Sequence, residues 1–226
     1  MMLPPLTDLV ALLGIDLVLC AGCLRLLSWR RGVTPWVKGV TAACFVLMWL
    51  PLGAAQLPLV AYVRGISSDL SITLLVLACL GLVRRLRGQG LVAARERMAL
   101  HVAVAAAALF LYPMALGWGD WDPYRAGWGA PGMLIGLLAV TIFFWIKGLR
   151  LLPVLVALAL FAWTFDLLES TNLWDYLLDP WVAAAAIFQC VRWGAGQLQI
   201  RWRQVKAPSS AGIPLDVPAA SPAVAD

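Results

Sequence analysis

The chain is expected to be all-α: a polytopic membrane helix bundle of about seven transmembrane helices, N-terminus outside and C-terminus cytoplasmic. Three observations carry that expectation. Of 226 residues, 62% are hydrophobic and 13% charged, whereas a soluble domain carries about 25% charged residues. A water-soluble core of this size cannot hide so much apolar surface, so the bilayer is the natural solvent. The oily runs are separated by short polar links, and the basic residues fall on alternate links.

Taken in order, the first span runs from about 6 to 27, long enough at 1.5 Å per residue to cross the hydrocarbon, and ends at Trp29-Arg30-Arg31. The second, about 36 to 63, contains Pro51 and Pro58. Each proline removes a backbone donor, which predicts a kink in its outer half. A third span, about 70 to 83, closes on Arg84-Arg85-Leu86-Arg87. Span four, about 98 to 116, presents a small face, Ala103 and Ala105 to Ala108, suited to close helix approach in lipid. A Gly-, Pro- and Trp-rich loop, 117–131, follows. The fifth span, about 132 to 146, stops at Lys147, and the sixth covers about 151 to 168. A polar stretch, 169–180, leads into the seventh, about 181 to 200. These elements make one transmembrane helical domain, 1–206. Residues 207–226, rich in Pro, Ala and Ser, read as a disordered cytoplasmic tail with too little apolar surface to offset ordering entropy.

Charge orients the bundle. Of 17 Lys and Arg, only Arg64 and Arg125 lie on one side, leaving 15 on the other, and the positive-inside rule makes the rich side cytoplasmic. The net charge of +5 therefore reflects orientation, not a nucleic-acid footprint. The outer side collects Asp8, Asp69, Asp120, Asp122, Asp166, Glu169, Asp175 and Asp179, together with Trp118, Trp121, Tyr124, Trp128, Trp174, Tyr176 and Trp181. Such rings form an interfacial belt in most membrane proteins. Beside acids they also suit sugar or lipid headgroups.

Several residues are candidates for chemistry. Asp120 and Asp122 resemble paired oxygen ligands for a divalent ion, although Asp122 before Pro123 is also a turn initiator. Arg125 is placed to pair with one of them or with a lipid phosphate. Asp166 and Glu169 sit three apart, and Asp175 and Asp179 four apart, which puts each pair on one face if the segments are helical. Asp16, about ten residues into the first span, is costly near the midplane unless paired or neutral. Arg192 reaches a comparable depth in the last span, so an intramembrane Asp16–Arg192 pair is expected. Arg192 snorkelling to the cytoplasmic interface is the alternative.

Cys20 and Cys23 admit a redox or lipoprotein reading, but all five cysteines lie in apolar runs and Asp8 and Asp16 stand where a secretory leader needs bases. They read as small apolar helix residues. The single histidine, His101, argues against lipid phosphatases and intramembrane metalloproteases that need more. Neither a cofactor nor a metal is implied.

The expected function is a non-catalytic subunit or scaffold of a cell-envelope (lipid or polysaccharide) system in a bacterial inner membrane. It would present an acidic, aromatic periplasmic surface to a membrane-protein partner, with the lipid bilayer around it and no nucleic acid. Two alternatives stay open. One is a small enzyme acting on a lipid-linked substrate at the outer leaflet through Asp120, Asp122, Arg125 and Glu169. The other is a proton-coupled carrier using Asp16.

Overall fold

The computed structural model describes residues 5–30 and 32–206. Residues 1–4, Arg31, the tail 207–226 and the side chains of residues 203–206 lie outside the described residues, and with them the tail's expected disorder. The chain divides into two compact units, Met1–Cys190 and Val191–Asp226. Among the described residues the second holds the last part of the final helix, 191–206, whose described side chains are exposed or half-buried.

The described chain is all-helical apart from one hairpin of two-residue strands, and one of its helical segments is a short 3-10 turn. Its helices are α1 (Leu6–Leu27), α2 (Pro35–Met48), α3 (Leu59–Ser67), α4 (Ile72–Arg87), α5 (Ala94–Ala115), α6 (Pro131–Ile146), α7 (Leu151–Thr164), α8 (Leu173–Leu177) and α9 (Pro180–Lys206). The boundaries follow local chemistry. Thr34 Oγ1 accepts from Val37 N at 3.3 Å ahead of Pro35, and Ser71 Oγ accepts from Leu74 N at 3.1 Å. Each occupies one of the donors a helix N-terminus leaves open. Gly88 ends α4 at φ 70°, a left-handed cap that costs glycine little. Arg84, Arg85 and Arg87 occupy the last turn, where cations complement the helix dipole.

Every expected span contains a helix, but among the described residues only α1 and α5 are long and apolar enough to cross a membrane, by length and composition. Helices α2, α6 and α7 are apolar but shorter. The second span needs correction, because it is broken rather than kinked. Helix α2 stops at Met48, and β1 (Pro51–Leu52) pairs antiparallel with β2 (Leu57–Pro58) before α3 begins. Pro51 disfavours a helical residue before it, and the hairpin turns through Gly53 at φ 68° and Gln56 at φ 50°. The sixth span is also shorter than expected. Helix α7 ends at Thr164 and Asp166 takes φ 47°, so Asp166 and Glu169 do not share a helical face.

The core has three parts. The largest joins α5, α7 and the start of α9 through Val104, Ala105, Ala108, Leu111, Leu155, Val156, Val182, Ala183 and Ala186. Ala105 and Ala108 are buried, Ala103 and Ala107 half-buried and Ala106 exposed, so only part of the expected small face of α5 meets its neighbours. Ile72, Ala159, Ala162, Leu173 and Tyr176 form a second cluster, and Ile15, Val60 and Leu70 a third. Helix α1 packs against α4, α2 and α3, which brings Asp8, Asp16 and Arg64 into one neighbourhood.

Candidate functional site

Two polar constellations emerge, and neither is the expected set. The first centres on Arg64, near the end of α3. Its Nη1 donates to Asp8 Oδ1 and its Nε to Asp69 Oδ1, both at 2.7 Å. Nη2 lies 2.8 Å from Glu169 Oε1, a charge contact that falls short of hydrogen-bond geometry. Asp69 Oδ2 also accepts from Glu169 N at 3.2 Å. The guanidinium is held above its ordinary pKa, chiefly by its hydrogen bond to Asp69. One cation thus ties together α1, α3 and the segments before α4 and after α7.

These residues edge a cavity of about 680 Å³ lined by Asp8, Leu9, Leu12, Trp49, Leu57, Pro58, Ala61, Arg64, Gly65, Ile66, Ser68, Asp69 and Glu169. Behind Trp49 lies Asp16, which has no exposed surface. Trp49 Nε1 donates to Asp16 Oδ2 at 2.7 Å and the Cys20 thiol contacts Oδ1 at 3.6 Å. Both carboxylate oxygens thereby have partners within the first unit. Arg192 belongs to the second unit and its side chain is exposed. Asp16 is satisfied by neutral donors, and pairing with Arg192 stays an expectation of the sequence.

The second constellation locks the loop 117–131 against α8. Asp122 accepts from Tyr124 N at 2.9 Å and caps the 3-10 turn Pro123–Gly127, so the turn-initiating role of Asp122 is the one it plays. The Tyr124 hydroxyl reaches Asp175 at 2.8 and 3.0 Å, and the Ser170 hydroxyl donates to the same carboxylate. Burial, then this hydrogen bond, raises the Tyr124 phenol above its ordinary pKa. Asn172, 1% exposed, donates to Tyr124 O at 3.0 Å and accepts from Trp174 N at 2.9 Å. Trp174 Nε1 donates to Pro123 O at 3.0 Å. Nearby, the Asp179 carboxylate accepts from Ser71 N at 3.1 Å, from the Ser71 hydroxyl, and from Val182 N at 2.8 Å. Since α8 ends at Leu177, Asp175 and Asp179 part ways: one carboxylate pins the loop, the other the N-termini of α4 and α9.

Of the four weak catalytic candidates, Asp122 is a turn cap, Asp120 and Arg125 are exposed on the loop, and Glu169 turns to Arg64. The structure brings Glu169 together with Asp8 and Asp69 instead. Among the described residues no three His, Cys, Asp or Glu side chains gather as a metal site. Sequence reasoning missed Arg64 as a hub, though one signal was present: it is one of two bases in the links expected to lie outside. Trp49 and Asn172 carried no such signal. No protein family, characterised protein or solved structure matches the chain.

Proposed function

We propose that this chain is a seven-span inner-membrane protein that serves as a non-catalytic subunit or scaffold of a cell-envelope system. Its outer face offers acids and indoles to a membrane-protein partner. The observation that carries the membrane reading is α6, a 16-residue apolar helix with no buried residue. Ile135 is 67% exposed and Ile146 76%. A continuous apolar face of this kind is solvated by lipid, not water. Its length, roughly 24 Å at 1.5 Å per residue, falls short of the hydrocarbon by a few ångströms. Local thinning and interfacial anchors accommodate such a mismatch, and Trp128 and Lys147 flank the helix for that role.

Orientation rests on the division of 15 bases against two. A scaffold is favoured over an enzyme because the outer acids are occupied in holding segments together. Asp8 and Asp69 bind Arg64, Asp175 binds Tyr124, and Asp179 caps α9. What remains for a partner is the loop's exposed set: Trp118, Asp120, Trp121, Arg125 and Trp128. Replacing Asp120, Trp121 and Arg125 together with alanine tests this. The expected outcome is an envelope-permeability defect in cells that hold normal amounts of the protein. Unchanged permeability at normal abundance would refute the proposal.

A further inference from the structure

We infer that the cavity bounded by α1, α3 and the Glu169 segment binds an organic ammonium group carried on an apolar tail. Charge is the first argument. Three carboxylates and one guanidinium line the space, and every nitrogen of Arg64 already faces one of those carboxylates. Two of those nitrogens donate hydrogen bonds and the third is held by charge alone, and the lining keeps two negative charges in surplus. An anionic ligand would have to displace a carboxylate from Arg64 and then sit beside it. A cation meets no such penalty. Asp8 and Glu169 are the accessible pair, with side chains 32% and 66% exposed, and an ammonium carries three donors to share between them.

Trp49 supplies the second, independent argument. An indole lining a cavity beside carboxylates is a platform for an ammonium ion. Its N–H is committed to the fully buried Asp16 at 2.7 Å. Donation to Asp16 fixes the ring. The remaining wall is hydrocarbon: Leu9, Leu12, Leu57 and Ile66. Those side chains suit an alkyl chain and give a small hydrated metal ion nothing. The shared chemistry fits either an amine-bearing lipid headgroup or a soluble polyamine.

The test uses the full chain in phosphatidylglycerol nanodiscs, whose headgroup carries no ammonium, titrated calorimetrically with octylammonium, octanol and octanoate, with empty nanodiscs subtracted. Octylammonium should bind more tightly than either comparison. Glu169→Gln, at an exposed position that folding tolerates, should weaken octylammonium about two- to fivefold, the range for a single exposed charge, and leave octanol unchanged. Ala61→Leu, which puts a larger side chain at the cavity wall, should weaken octylammonium and octanol alike. Displacement by spermidine would identify a soluble amine. Loss of probe binding in nanodiscs containing phosphatidylethanolamine would identify a lipid amine. Displacement by neither, octanoate binding as tightly as octylammonium, or an unaffected Glu169→Gln variant would overturn the assignment.

Discussion

Gly127 offers the sharpest test of how the loop 117–131 is held. A Cβ added there would overlap Asn172 Oδ1, and would lie 2.6 Å from Asn172 Cγ and 2.8 Å from Trp174 Cδ1. The glycine is needed for space, since its φ is not positive. Gly127→Ala must therefore push the Asn172 amide away, which breaks its bonds to Tyr124 O and from Trp174 N. Each hydrogen bond contributes roughly 0.5–1.5 kcal/mol net, and leaving a buried partner unpaired costs more. The indole resists yielding because its Nε1 is bound to Pro123 O. The sum is a destabilisation of about 2–4 kcal/mol, on the order of 5–10 °C in Tm for a chain of this size. Thermal unfolding in mild detergent, followed by circular dichroism, reads it. Asn172→Ala alone should cost about 2 kcal/mol, the two lost bonds. The double variant should lose less than the sum of the two, because the Asn172 atoms the methyl would meet are gone and only the Trp174 contact remains, and such non-additivity is what contact predicts. A Tm for Gly127→Ala within a degree of the parent would refute the reasoning, as would simple addition in the double variant.

Three further outcomes are expected. Arg64→Gln should destabilise the first unit by about 2–3 kcal/mol, because it leaves three carboxylates facing one another, whereas Glu169→Gln should cost under about 0.5 kcal/mol at its exposed position; equal losses in a thermal scan would contradict the hub role. Tyr124, whose phenol is raised by burial and Asp175, should stay protonated as pH climbs past the ordinary value of about 10. The unfolded phenol loses its proton first, so this contribution to stability is complete below about pH 10 and declines above it. Ultraviolet titration of the parent against Tyr124→Phe checks this, and an ordinary titration midpoint for Tyr124 would oppose it. Asp179→Ala should expose the first amides of both α4 and α9 to hydrogen exchange, at a cost of about 2–4 kcal/mol from a lost cap and stranded donors; protection retained at α4 would show that Asp179 does not couple the two helices.

Helix positions were largely legible because each depends on local signals: an apolar run, a cap, a breaker. Helix α1 spans the residues expected, and α6 and α9 begin within a residue of expectation. The break after α2 was less legible. Two prolines seven residues apart signal disruption, but whether the chain kinks or folds into a hairpin depends on what α3 packs against, here Ile15 and Leu70. The site was legible only in its ingredients. The sequence showed where acids and bases gather along the chain, yet which carboxylate meets which donor is set by contacts far apart in sequence, such as Arg64 with Asp8 and Ser71 with Asp179. Asp120 and Asp122 drew attention through spacing, whereas the structure spends Asp122 on a turn.

The threading of the chain through lipid is open to a direct test. Single cysteines placed at Asp120 and at Gln89, in a background where the five native cysteines are replaced, can be probed with a membrane-impermeant maleimide. Asp120→Cys should label in intact cells bounded by the inner membrane alone, and Gln89→Cys only after lysis. Labelling of Gln89→Cys from outside with Asp120→Cys protected, or recovery of the unmodified chain in the soluble fraction, would contradict the account.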